Sequence, residues 1–137
     1  MRSHGILWAR DAWLSTVGVA STEDDFSRYN KKENNMIHVV ATIELNPGTR
    51  DQFLAEFRKI VADGKAEAGC IDYVPTIDAE TEIPTQFKIG PDKITIIEQW
   101  EDAATLKAHL VAPHMQAYRP KVKAFVKNVE VRVFSPV

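Results

Sequence analysis

An α+β fold is what the sequence predicts: an antiparallel sheet with its helices on one face, in the order β-α-β-β-α-β. Three observations carry the prediction. "MIHVVATIEL" and "KITIIEQW" are dominated by β-branched residues, the composition of strands. Two other stretches repeat apolar residues at helical spacing. The closing "VEVRVF" alternates strictly, as a half-buried strand does.

Taken in order, residues 1–35 stand apart. Their second half, "STEDDFSRYNKKENN", offers only Phe26 and Tyr29 for burial, too little to offset ordering entropy. The segment is expected to be a flexible or partly helical N-terminal extension, with a short helix at Ile6–Leu14, followed by a folded domain over 36–137. A secretory signal is disfavoured because Arg10 and Asp11 interrupt the apolar centre such a signal needs.

The first strand places Ile37, Val39, Ala41, Ile43 and Leu45 on one face, with His38, Val40, Thr42 and Glu44 on the other. "NPGT" ends it. Thr49 and Gln52 have capping-box spacing, with Asp51 in the first turn. The stripe Phe53, Leu54, Phe57, Ile60 and Val61 then defines the first helix, and Gly69 is its expected stop. "CIDYVPTI" reads as a strand that Pro75 restricts to an edge or an end. "TQFKI" and "KITIIEQW" flank Gly90-Pro91-Asp92, which predicts a hairpin. Glu101-Asp102 opens a second helical region with Leu106 and Leu110 inward. Pro113 and Pro120 interrupt that region, so it is expected to be bent or in two pieces, with Met115, Tyr118, Val122, Phe125 and Val126 continuing the apolar stripe.

This order is that of the ferredoxin-like fold. Its sheet has a second face, on which Val40, Thr42, Ile97, Ile71 and Tyr73 are expected. A face so apolar predicts a partner, most simply a twofold homodimer.

Composition narrows the function. A net charge of −2 gives no footprint for nucleic acid, and no apolar run is long enough to cross a bilayer. Cys70 is the only cysteine, which precludes an intrachain disulfide or a cysteine zinc cage. The expected address is a reducing cytoplasm. No phosphate loop, dinucleotide fingerprint or nucleophile elbow occurs.

The chemistry concentrates between Ile96 and Tyr118. Glu98 and Trp100 share a strand face. A carboxylate beside an indole in an apolar cleft has its pKa raised, which suits proton transfer near neutrality, whereas at the sheet end it would merely pair with a lysine or a backbone N–H. Trp100 serves either as a wall for a flat substrate or as core. His109 lies about 80° from the Leu106/Leu110 stripe, and His114 flanks the Met115 stripe. Both are expected at the border of core and solvent, where a histidine can exchange protons or simply pack. Arg119 and Lys121 stand either at a pocket mouth or on a solvated helix face. A shared metal is not expected: five-residue spacing puts His109 and His114 about 140° apart on a helix, Pro113 separates them further, and no third ligand is evident.

The segments "MIHVVATIELNPGTRDQFLAEF", "AGCIDY" and "EQWEDAATLKAHLVAPHMQAYRP" resemble the antibiotic biosynthesis monooxygenase family over about Met36–Val137. The resemblance implies a dimeric α+β barrel. It also implies oxidation of a small phenol, quinol or enolisable aromatic with O₂, without metal or prosthetic group. On that reading His109 or Glu98 is the base and His114 a second hydrogen-bond partner, while Trp100, Phe53, Phe57 and Tyr118 bind substrate. Haem-degrading relatives carry an Asn on the first strand, where this chain has Ala41, a departure that argues against haem. The alternative is a dimeric barrel that binds a small aromatic without transforming it.

Overall fold

A computed structural model describes residues 35–137. The extension expected over residues 1–35, with its short helix, otherwise lies outside the described residues. Four strands are β1 (Ile37–Leu45), β2 (Cys70–Thr76), β3 (Lys93–Trp100) and β4 (Val126–Phe134). The helices that lie wholly among the described residues are α1 (Arg50–Ala66), α2 (Ala103–Leu110) and α3 (Pro113–Val122). The strands form one antiparallel sheet in the order β2-β3-β1-β4. This is the ferredoxin-like arrangement read from the sequence.

Alternation decides the sheet faces. The odd-numbered residues of β1 and the even-numbered residues of β3 from Ile94 to Trp100 are buried against the helices. Pro75 lies on β2, an edge strand, where a missing N–H costs least. Among the described residues no helix is long and apolar enough to cross a membrane.

Several local expectations need correction. "TQFKI" forms no strand; β2 pairs directly with β3 across residues 77–92. That loop is held instead by Asp78, whose carboxylate accepts the N–H groups of Ile89 and Gly90 at 3.0 and 2.8 Å. Those two bonds hold its carboxyl below the usual carboxylate range. The capping box is not made either: Thr49 Oγ1 donates to the Asn46 carbonyl at 2.7 Å and leaves the helix uncapped by a side chain. Asp102 does cap α2, accepting from the Thr105 N–H at 2.8 Å.

Tyr73 belongs to the helix-facing side rather than the second face. The register shifts between Cys70 and Asp72, so one extra residue reverses the alternation, and Tyr73 pairs with Glu98 in the core while Ile71 stays exposed. The bent helix is in two pieces: α2 ends at Leu110, Pro113 occupies the first turn of α3, and Val111-Ala112 form the joint. Leu110, expected inward, is exposed; His109, expected at the border, is buried. The short α2 packs with the turn of Leu106 and His109 inward.

Candidate active site

Aromatic residues from α1, β2, β3 and α3 assemble a continuous stack under the helices. Phe53 stacks on Phe57 and Phe57 on Tyr73, each pair with centroids 5.8 Å apart, and Tyr118 meets both phenylalanines edge-on. The His109 ring closes the series, 5.2 Å from Tyr73 and 4.8 Å from Trp100. Such pairs are worth about 0.5–1.5 kcal/mol beyond area burial, so the stack fixes ring positions as well as filling space.

Two polar groups interrupt this apolar interior. Glu98 and His109 are the buried charged or polar residues among those described, at 6% and 1% exposure. Trp100 Nε1 donates to Glu98 Oε2 at 2.8 Å, a bond made between neighbours on one strand face. Burial pushes the Glu98 carboxyl above its ordinary 4.5, with the Trp100 bond and the nearby His109 acting the other way. Burial likewise pushes both the Tyr73 and Tyr118 hydroxyls far above their ordinary 10.

A cavity of about 720 Å³ opens between the sheet and α2–α3. Glu98, His109, Phe57 and Tyr118 line it, together with Tyr73 and Ile96. Phe53 and Trp100 lie outside its lining, behind Phe57 and Glu98, and act as support. His114 is also absent from its walls; it lines a smaller polar cleft of about 240 Å³ with Glu56, Lys59, Asp63 and Lys121. Arg119 borders the large cavity, Lys121 the small one.

The sequence reading did not find Glu67. Its Oε1 lies 2.9 Å from His109 Nδ1 and 2.7 Å from His114 Nε2. Local geometry explains the meeting. After α1, Glu67 turns to extended backbone and Gly69 takes φ of +81°, folding the chain into β2. The turn packs tightly on α2, since a Cβ on Gly69 would fall 2.3 Å from Thr105 Cγ2. His109 follows Thr105 by four residues, on the same face of α2. Pro113 then starts a new helix direction, which brings the two imidazoles to 6.0 Å. The argument that spacing of five and Pro113 keep the histidines apart therefore fails, because the break at Pro113 turns the second helix toward His109 rather than away from it. The only sequence signal for Glu67 was its place next to the Gly69 turn.

Residues 36–121 match the family model described as antibiotic biosynthesis monooxygenase. The chain belongs to that family. The Probable quinol monooxygenase YgiN of Escherichia coli is 41% identical over 103 residues, covering 74% of this chain and 98% of that protein. The crystal structure of PA3566 from Pseudomonas aeruginosa superposes with a TM-score of 0.64 at 27% identity, covering 77% of this chain and 97% of that one. A conserved protein from Methanosarcina mazei Go1 shares the fold at 22% identity and a TM-score of 0.64, over 77% of this chain and 97% of its own. Family and relatives together support monooxygenase activity.

Proposed function

We propose that this chain is a cofactor-independent monooxygenase that oxidises a small phenol, quinol or related enolisable aromatic with O₂. The observation that carries the proposal is an apolar cavity with an aromatic wall, entered by two buried acid–base groups, Glu98 and His109. The quinol relative YgiN supports the substrate class.

The chemistry follows from this setting. His109 takes the phenolic proton; Glu67, bonded to Nδ1, orients the ring and stabilises the imidazolium that forms. The phenolate transfers one electron to O₂, and the resulting radical pair recombines at a ring carbon to give a hydroperoxide. Loss of the proton on that carbon and cleavage of O–O leave a carbonyl and release water. One oxygen atom stays on the ring, and the substrate supplies all four electrons, so no external reductant is required. Glu98, kept protonated longer by burial, donates a hydrogen bond to the developing oxyanion. Tyr73, Phe57 and Tyr118 hold the ring and exclude water from the radical pair. His114 lines the outer cleft with its Nε2 2.7 Å from Glu67 Oε1, and as a second charge beside that carboxylate it holds Glu67 in place against His109.

Two copies are part of this reading. Val129, Val131 and Val133 on β4, and Ile97 on the opposite face, are about half exposed and need cover.

Oxygen uptake with a panel of hydroquinones on metal-free protein tests the proposal. Turnover by the unmodified chain should fall at least a hundredfold in His109→Gln. No turnover across the panel, with ligand-induced thermal stabilisation that persists in His109→Gln and Glu98→Gln, would establish the non-catalytic binding barrel instead.

A further inference from the structure

The cluster of Glu67, His109 and His114 has a property that proton transfer leaves unexplained. Glu67 Oε1, a nitrogen of His109 and a nitrogen of His114 all lie within 4.8 Å of one another. His109 Nδ1 is hydrogen-bonded to the carboxylate. His114 Nε2 is not. It approaches the same oxygen to 2.7 Å, yet at an angle outside hydrogen-bonding geometry, and it is buried without a hydrogen-bond partner. An unsatisfied buried polar atom costs about 1–3 kcal/mol, so His114 Nε2 calls for a partner, and the neighbouring Glu67 and His109 atoms can share one.

A divalent metal is such a group. Two imidazoles and one carboxylate are a donor set for borderline ions such as Zn²⁺, and three protein ligands leave a fourth position open. Bonds of about 2.0–2.1 Å at tetrahedral angles put donors roughly 3.3 Å apart. The two contacts at 2.7 and 2.9 Å would therefore open by about half an ångström, while the widest donor separation, within 4.8 Å, would close by up to about 1.5 Å. The scaffold permits this. Glu67 sits on the extended residue after α1, and the two histidines are on separate short helices joined at Val111-Ala112. Cys70, three residues after Glu67, contributes no donor atom to the cluster.

We propose that Glu67, His109 and His114 form a binding site for a divalent transition metal of the Zn²⁺ class, one ion per chain. The site rests on the cluster geometry alone and not on the oxygenase reading. Where both hold, they exclude one another in any one molecule. A metal on His109 Nδ1 leaves the ring's single proton on Nε2, so the imidazole can no longer accept a proton, and the ion acts as an inhibitor.

Calorimetric titration of tag-free, chelator-stripped full-length chain with ZnCl₂ tests this, with Co²⁺ absorption as the report on ligands. One saturable ion per chain is expected. Glu67→Gln and His114→Gln should each weaken it at least about tenfold, while His4→Gln and His38→Gln leave it unchanged. The Co²⁺ complex should show d–d bands without a thiolate charge-transfer band. Circular dichroism identifies any variant that fails to fold; the Co²⁺ spectrum of the unmodified chain then decides alone. Absence of saturable binding, binding indifferent to both substitutions, or a thiolate band overturns the proposal. None of these readouts needs turnover, so failure here is distinct from failure of the oxygenase reading.

Discussion

The helix-facing side of the sheet has two halves built from similar residues and covered very differently. Under α1 and α2, the β2–β3 half buries Tyr73, Ile94, Ile96 and Trp100 to 2% exposure or less. The β4 half presents Val129, Val131 and Val133 with 46–52% exposure. Both halves alternate properly, since Val129, Val131 and Val133 pair with Ile43, Ala41 and Val39 on the same face. The difference lies in the roof. α3 contacts α1, and among the described residues no helix has more than marginal contact with the outer strand. The cavity forms along this seam, with one wall dry and aromatic and the other aliphatic and open. On the proposed function, a flat substrate would enter from the β4 side and meet Glu98 and His109 on the sealed side.

The sharpest way to break the comparison is a matched pair of truncations. Trp100→Ala removes a fully buried indole and the donor to Glu98. It should cost about 3–5 kcal/mol in denaturant unfolding, with a carboxyl left short of a partner. Val131→Ala on the open half should cost less than about 1 kcal/mol. Equal losses would mean that the β4 strip is as sealed as the core.

Which parts of this contrast were legible beforehand follows from what periodicity records. The strands, the buried faces of β1 and β3, and the break at Pro113 are all local, so the sequence shows them. Tyr73 was misplaced because one extra residue between Cys70 and Asp72 inverts a period-two pattern, and no residue type announces it. His109 was set at a border because the angle was measured from a Leu106/Leu110 stripe, whereas Leu110 is exposed and the inward face of α2 is Leu106 and His109. Glu67 was missed because it belongs to no periodic element; a turn fixed by Gly69 and Thr105 puts it beside His109. The "TQFKI" strand failed because Asp78 offers the backbone of Ile89 and Gly90 a closer acceptor than a sheet partner. Glu98, His109 and His114 were therefore visible singly, while Glu67 and the convergence of the group depended on tertiary turns.

Those turns supply the next prediction. Gly69→Ala forces an L-residue into φ of +81° and a Cβ into Thr105, itself held by Asp102 through both its N–H and its hydroxyl. Strain and overlap together should cost about 2–4 kcal/mol. The loss should come with weaker coupling between Glu67 and His109, readable as a changed His109 imidazole resonance by NMR. A Gly69→Ala chain with unchanged stability and resonance would show that the sealed half tolerates a displaced turn.

A smaller effect concerns charge on the sealed side. Burial raises the folded-state pKa of Glu98 above 4.5. A raised pKa means that the native state keeps its proton when the unfolded chain has released it. The stability tied to this group is then complete below about 4.5 and declines as pH rises through the folded value. Glu98→Gln keeps an oxygen for the Trp100 N–H and removes the titration. The variant's unfolding free energy minus that of the unmodified chain should therefore grow with pH from about 4.5 upward. A difference that shrinks with pH would reverse the assignment of burial as the dominant cause.

The smallest effect on the chain itself is expected where the roof is missing. Val131→Thr keeps the β-branched shape that suits β4 and adds a hydroxyl to a side chain that already meets water. Unfolding of dilute protein should change by no more than about 0.5 kcal/mol. Self-association answers a different question. If a second copy covers the strip, the hydroxyl must be buried without a partner, at a cost of about 1–3 kcal/mol per site, and two sites meet across a twofold interface. Sedimentation at matched concentrations should then show Val131→Thr shifted toward the monomer while its dilute stability is unchanged. A dimer of undiminished strength would leave the strip free for substrate entry and move the contact to the face that carries Ile97, where Ile97→Thr should weaken it instead.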